Sequence, residues 1–435
     1  MLSVLISTVA AALGQFSDQL VIRDPAFLSD IARVHVASTD TINVHIYPHL
    51  ANYLPEHRDL DSTQVTLSSN STCGVYSADP SQPVSTGTLI SNLSTITFVA
   101  KTMTGAFWID CSGPLEVIRG PDSQISNYSY SGPFYVHALS LPAITESDGT
   151  VYPARKVVEV IEVIPVETYL RGVVATEMPH TWPSEALKTQ AIAARTYALF
   201  HMQLSRAQGN IFYDVDDTTL FQAFTGVSGQ RPETDQAISA TAGEVITYQD
   251  NIIQAYFSAS SGGYTEDASA VWPGAVSYCV AKPEVFTDPN LDDGNYAPWR
   301  VTMSLATIGQ ELAARKYIPT DSPITRIEVL DGQTDISGRA KQVHLTFQDG
   351  SSFDLSAISF QLCLGLRSTM MTFNQLSSSV VAISGRGFGH GVGMSQYGAQ
   401  VLAQTMNWNA EEILNFYYTD IEIGTPDNSS ANSSH

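Results

Sequence analysis

PVETYLRGVVATEMPHTWPSEALKTQAIAARTYAL, residues 165–199, carries the periodicity from which the fold is read. Taking Pro165 as a helix start, Leu170, Val173 and Val174 recur at helical spacing, and Glu177 falls further along the same apolar stripe. A carboxylate at that position, at the end of a short helix, is expected to face inward. Desolvation and the negative end of the helix dipole both disfavour its charged form, which is what a general acid needs. The continuation, PSEALKTQAIAARTYALFHMQ, predicts a second helix with Pro183 near its start and apolar positions 187, 191, 194 and 198 at helical spacing. Glu185, in its first turn, reads as a surface residue complementing the dipole.

Outward from this segment the pattern changes. Residues 30–150 alternate short runs such as ARVHVAS, INVHIYP, STITFVA, PLEVIRG and PFYVHAL with clusters of Ser, Asn, Pro, Gly and Asp, the signature of strands and turns. Helices dominate only over 165–205. Strand-like runs return at EVITYQ, NIIQAYFSAS, ITRIEVL, KQVHLTF and SVVAISG. Strands and helices do not alternate regularly, so the fold class is α+β, with mixed sheets and a few helices, rather than a doubly wound sheet.

Composition narrows the partners. The 435 residues are enough for two or three domains. With 21 basic against 43 acidic residues, the net charge is −22, a field that repels nucleic acid and anionic membrane surfaces. Neither is expected as a partner, and no stretch has the length of an integral membrane span.

The run from Leu170 to Pro179 followed by that from Trp182 to Tyr197 resembles the signature of the SpoIID/LytB family, whose members act on bacterial cell-wall glycan. GRGFGHGVGMSQYGAQVLAQ, from Gly385 to Gln404, and the following EEILNFYYTDIEI resemble the closing motif of that family. FQAFTGV, AYFSASSGGYTE, SGRAKQ and LGLRST resemble its intermediate landmarks, in order. The resemblance covers about residues 155–424. It implies a SpoIID-like catalytic domain over 151–424, preceded by a β-rich region over 24–150 and followed by a polar, disordered tail over 425–435.

The implied activity is lytic transglycosylation of peptidoglycan glycan strands, with Glu177 as general acid and then base. An alternative is a non-catalytic cell-wall-binding module that enhances a partner amidase. Lys188 and Arg195, seven residues apart on the second helix, share a face and can oppose the overall negative field to hold a lactyl carboxylate. His390 and Gln396, in and after the glycine-rich run, and Gln222 are expected to contact the sugar chain. The run from Gly385 to Gly393 lacks GK[ST] and a regular βαβ context, so a phosphate loop is not supported. Asp216 or Asp217 can serve as the second carboxyl of a hydrolytic pair, but turn or capping chemistry fits them better.

Some family members hold zinc through Cys and His in a segment that reads DVDDTTLFQ here, with Asp216, Leu220 and Phe221 at those positions. Leu and Phe have no donor atom. No metal or other cofactor is expected. LSVLISTVAAALGQ, after Met1, reads as the apolar part of a secretory signal over 1–14 or, since no basic residue precedes it, as a buried strand or helix. A wall substrate favours export, to a secreted, periplasmic or cell-wall location. In an exported chain Cys73 and Cys111 can pair as a disulfide; the alternative is that all four cysteines, with Cys279 and Cys363, are buried thiols.

Overall fold

The computed structural model describes residues 41–47, 63–78, 89–118, 128–141, 143–145, 151–208, 213–219, 221–272, 274, 276–284, 298–319 and 322–425. The signal reading of 1–14 and, beyond Thr425, the tail reading lie outside them. The architecture is α+β, with eight helices among the described residues and several sheets. Two compact units divide it. One contains the described residues up to Trp182 together with Gln190–Gln254; the other contains Pro183–Thr189 and Ala255–Glu422.

The first unit is built on a nine-stranded sheet that curls into a half-barrel. Its strands are β1 (Thr41–Tyr47), β2 (Gln64–Ala78), β3 (Leu89–Val99), β4 (Ala106–Cys111), β5 (Leu115–Ile118), β6 (Ser129–Tyr130), β7 (Phe134–Leu141), β10 (Arg155–Pro165) and β11 (Val215–Asp216), with β8 (Ile144–Thr145) and β9 (Val151–Tyr152) forming a separate small hairpin. The order is β11-β1-β10-β7-β4-β2-β5-β6, with β3 paired to β2. All pairs are antiparallel except β1 with β11, in which His45 is the partner of Asp216. A disulfide joins Cys73 to Cys111, which are register partners on β2 and β4; Cys279 and Cys363 are buried free thiols.

Strand β10 sits between β1 and β7, and Val157, Val158, Val160 and Ile161 are each fully buried. It runs directly into α1 (Val166–Glu177), whose N-cap is Pro165; the helix therefore begins one residue later than the proline rule places it. Tyr169, Leu170, Val173 and Val174 form the buried stripe of α1, and Glu177 is its last residue. Helix α2 (Ser184–Ala207) follows, and α3 (Pro232–Ala240) and the hairpin of β12 (Val245–Tyr248) with β13 (Asn251–Ile252) complete the unit. Small side chains explain the deep burial of α2: Ala191, Ala193, Ala194 and Ala198 are each fully buried.

In the second unit, β14 (Phe257–Ser258) lies parallel to β21 (Met394–Ser395). Two three-stranded sheets lie between them in sequence: β15 (Trp299–Ser304) with β20 (Val380–Gly385) and β19 (Met371–Gln375), and β16 (Ile324–Glu328) with β17 (Gln342–Phe347) and β18 (Ser352–Ser356). They share a core with α5 (Leu305–Ala314) and α6 (Ala357–Leu364) around Ile308, Leu312, Val343, Leu345 and Phe360. The short α4 (Ala268–Val271), then α7 (Gln396–Thr405) and α8 (Ala410–Tyr417), finish the unit. No described helix is long and apolar enough to cross a membrane.

Candidate active site

Glu177 ends α1 half-buried, and the segment FQAFTGV wraps along the helix to reach it. Four contacts hold that segment. Gln222 donates through Nε2 to the Ala194 carbonyl at 3.1 Å and accepts from the Tyr169 hydroxyl at 3.3 Å. The Ala223 N–H donates to Glu177 Oε1 at 3.1 Å. Phe224 packs on Tyr169 with ring centroids 4.9 Å apart, and the Thr225 and Thr176 hydroxyls meet at 2.8 Å. Gly172 makes the close approach feasible: a Cβ there would lie 2.6 Å from the Phe224 ring and 2.8 Å from the Gly226 carbonyl oxygen. The glycine of the LRGVVATEMP motif is thus a packing requirement of the clasp around Glu177.

Behind the clasp lies a buried acidic cluster. Asp216 is 1% exposed, and its Oδ1 accepts from both the amide and the hydroxyl of Thr218 at 2.7 Å, the turn chemistry expected of it. Its Oδ2 is buried without a hydrogen-bond partner among the described residues. Burial pushes the Asp216 carboxyl up to about 7; the neighbouring Asp217 adds to the rise, and Thr218 and His45 oppose it. Asp217 accepts from the Tyr130 hydroxyl at 3.2 Å. Glu162 on β10 is fully buried and accepts from the Ser131 and Gly132 amides at 2.9 and 2.8 Å; desolvation carries it up to about 7. The phenols of Tyr169 and Tyr197 are raised by burial and then by the charges of Asp216 and Glu177. Tyr197 stacks on His201, which burial lowers to about 3, so the imidazole is neutral.

Phe221 offers no ligand atom, and Asp216 Oδ1 is engaged by Thr218, so this segment does not fit a Cys/His zinc site; Leu220 lies outside the described residues.

Most residues expected to hold substrate turn out to hold the protein. Arg195 is 1% exposed: it pairs with Glu167 through Nε and Nη2 at 2.7 and 2.8 Å and donates to the Glu244 and Ile238 carbonyls. Its charge is not presented to a ligand, because the helix face it occupies is packed. Gln222, 1% exposed, anchors the clasp rather than lining a surface. Lys188 is the more accessible cation, although it pairs with Glu185 at 2.7 Å. Glu185 is half-buried and accepts the Ala410 N–H at 3.0 Å, so it caps α8 as well as complementing its own helix.

In the second unit, three of the sequence landmarks converge. The Arg339 guanidinium of SGRAKQ donates to the carbonyls of Ser261 and Tyr264 in SASSGGYTE at 2.7 and 2.9 Å. Ser337 donates to Glu266 Oε2 at 2.7 Å, and the Glu266 N–H donates to the Gly391 carbonyl at 2.8 Å. Gly391, at φ 78°, leaves no room for a side chain: a Cβ would lie 2.1 Å from Arg339 Nη2. His390 accepts the Val392 N–H on Nδ1 at 3.0 Å, is hydrogen-bonded to the Phe257 main chain, and packs edge-on to Trp272. Burial, with the Arg339 charge, lowers it to about 4. It is a neutral tie within the glycine-rich loop. Gln396 opens α7 and is 5% exposed, facing inward.

Sequence reasoning passed over Tyr169, Tyr197, Glu162 and Ala223. The tyrosines lie on helical stripes and read as core, Glu162 interrupts an apolar strand, and an alanine contributing only its N–H leaves no sequence signal.

The model of the family described as SpoIID, stage II sporulation protein, matches residues 154–248. Stage II sporulation protein D of Bacillus amyloliquefaciens is 30% identical over 301 residues, 66% of this chain and 82% of that protein. The protein of the same name from Bacillus subtilis is 32% identical over 282 residues, 61% and 76% of the two chains. The amidase enhancer of Bacillus subtilis is 32% identical over 295 residues, 57% of this chain and 39% of that protein. With a matched family segment that contains Glu177 and its clasp, and relatives aligned over most of their length, the chain belongs to the SpoIID family.

Proposed function

We propose that the protein is a peptidoglycan lytic transglycosylase in which Glu177 acts first as acid and then as base. The observation that carries this reading is the placement of Glu177: a half-buried carboxyl at a helix end, with one oxygen fixed by the Ala223 N–H and a desolvated neighbourhood behind it. Glu177 gives its proton to the glycosidic oxygen between N-acetylmuramic acid and N-acetylglucosamine as the C1–O bond breaks. The resulting carboxylate takes the proton of the muramic C6 hydroxyl, whose oxygen bonds to C1 and closes the 1,6-anhydro ring. One carboxyl suffices because the nucleophile belongs to the substrate, unlike the carboxylate pair of hydrolytic glycosidases. The Ala223 N–H favours the ionised state that the second half of the cycle requires.

The substrate is glycan stripped of its peptides, and the protein works at the cell wall, in keeping with a chain that forms a disulfide. The test is incubation of wild type and E177Q with peptide-free glycan strands, followed by product mass analysis. Anhydro ends from wild type and none from E177Q support the reading; reducing ends show hydrolysis instead.

The relative named amidase enhancer favours a second reading, a non-catalytic module that binds the wall and assists an amidase. It requires binding to glycan without cleavage, and stimulation of an amidase that E177Q leaves intact.

A further inference from the structure

We propose that Asp216 is a positioning residue for Glu177: a second carboxyl, buried beside the phenols of Tyr169 and Tyr197, whose charge sets how tightly Glu177 holds its proton. The role in turnover rests on the lytic reading above; the coupling between the two acids does not.

Three observations lead to it. Asp216 is 1% exposed, with Oδ1 bonded twice by Thr218 and Oδ2 buried without a partner among the described residues. An ionised carboxylate with one bare oxygen in such surroundings is unfavourable, and the group keeps its proton to about 7. Second, Tyr169 on α1 and Tyr197 on α2 both feel the charges of Asp216 and Glu177, so the two carboxyls act on one desolvated volume. Third, both acids are held by the same stretch of chain: Thr218 fixes Asp216 near its start, and Ala223 fixes Glu177 near its end.

The groups around Asp216 are otherwise poor at neutralising it. From β1 comes His45, which ion-pairs with Glu159 at 3.3 Å; from β10, Glu159 and Glu162; from its own segment, Tyr213 and Asp217. His45 lowers the proton affinity of Asp216, and Asp217 raises it. The Tyr130 hydroxyl of β6 is already given to Asp217. Two carboxyls sharing such a volume lose their protons in sequence, because ionising either one makes the other harder to ionise. Ionised Asp216 therefore helps Glu177 stay protonated toward the alkaline side, where a general acid would otherwise be lost. The linkage is reciprocal: Glu177 must act on Asp216 by the same amount.

The experiment is an infrared pH titration of ligand-free protein, following the carboxylic-acid C=O band in wild type, D216N and E177Q, together with the pH dependence of kcat/KM on peptide-free glycan for wild type and D216N. In D216N one acid band titrating near neutrality is missing. In E177Q the Asp216 band remains and titrates at lower pH, by on the order of one unit. The alkaline limb of kcat/KM in D216N moves down in pH by a similar amount; a residue with only a structural role lowers the rate without moving the limb. Asparagine can still accept both Thr218 bonds, and if D216N nevertheless fails to fold, the E177Q titration decides alone. An Asp216 band unchanged in E177Q overturns the proposal. If wild type cuts no glycan, the lytic reading fails, while the E177Q titration still judges the coupling.

Discussion

Arg195 on α2 and Glu167 on α1 form a two-pronged ion pair, at 2.7 and 2.8 Å, in which the guanidinium is almost wholly withdrawn from water. The Gly243 N–H also reaches Glu167 Oε1, at 3.3 Å, so the pair ties α1 to α2 and to the turn before β12. Removing only the cation leaves two main-chain carbonyls and a carboxylate without their donor. R195A is expected to lower stability by about 3 kcal/mol or more, as for one-sided loss of a buried pair. Urea unfolding of R195A and of E167Q measures this, with the smaller loss in E167Q because Glu167 is the more exposed partner. In the folded fraction of R195A, KM for glycan stays near wild type; a large rise would return Arg195 to the substrate.

Gln222 provides a separate test of the clasp. Its side chain is pinned at both ends, by the Ala194 carbonyl and the Tyr169 hydroxyl, and the next residue supplies the N–H that fixes Glu177. Q222A frees the loop and leaves buried groups unpaired, at a cost of about 1–3 kcal/mol in stability. Under the lytic reading, kcat falls at least about tenfold with little change in KM, since the loss falls on the orientation of the acid. A rise in KM at constant kcat would instead make Gln222 a substrate contact.

What the sequence made legible was local. The 3.6-residue period gave α1 and α2 and placed Glu177 at the end of the first, because an apolar stripe followed by a charge is visible along the chain. The landmark motifs were visible too, but their roles were not. Arg195, Gln222 and Gln396 are polar residues in conserved-looking runs, and a run of letters does not distinguish a side chain aimed at a ligand from one that satisfies buried carbonyls 28 to 49 residues away, as Arg195 and Gln222 do. The pairing of β10 with β1 and β7 was equally hidden, since strand order depends on contacts far apart in the chain.

The cysteines make a chemical prediction. Cys73 and Cys111 are 38 residues apart and bonded, whereas Cys279 and Cys363 are free. Protein unfolded without reductant should show two reactive thiols, and four after reduction. Closing a loop of that length stabilises by about 4 kcal/mol in the chain-entropy description, so C73S/C111S is expected to melt well below wild type. Four thiols before reduction would refute the pairing.

Glu162 sets a pH dependence whose sign is unusual for a carboxyl. Its ordinary value is 4.5, and burial in the folded protein raises it to about 7. Below the unfolded value it is protonated in both states and costs nothing. Between the two values the unfolded chain has released the proton while the folded chain retains it, so stability falls as pH rises through that window; above about 7 the folded state carries the full penalty. For this group alone the loss is on the order of 3 kcal/mol. Asp216 acts in the same direction. Glutamine at position 162 can still accept the Ser131 and Gly132 amides but has no charge to bury. E162Q should therefore match wild type near pH 4 and exceed it in stability at pH 8, as read from urea midpoints at the two pH values. Parallel stability curves for the two proteins would show that Glu162 ionises in the folded state as readily as in the unfolded one.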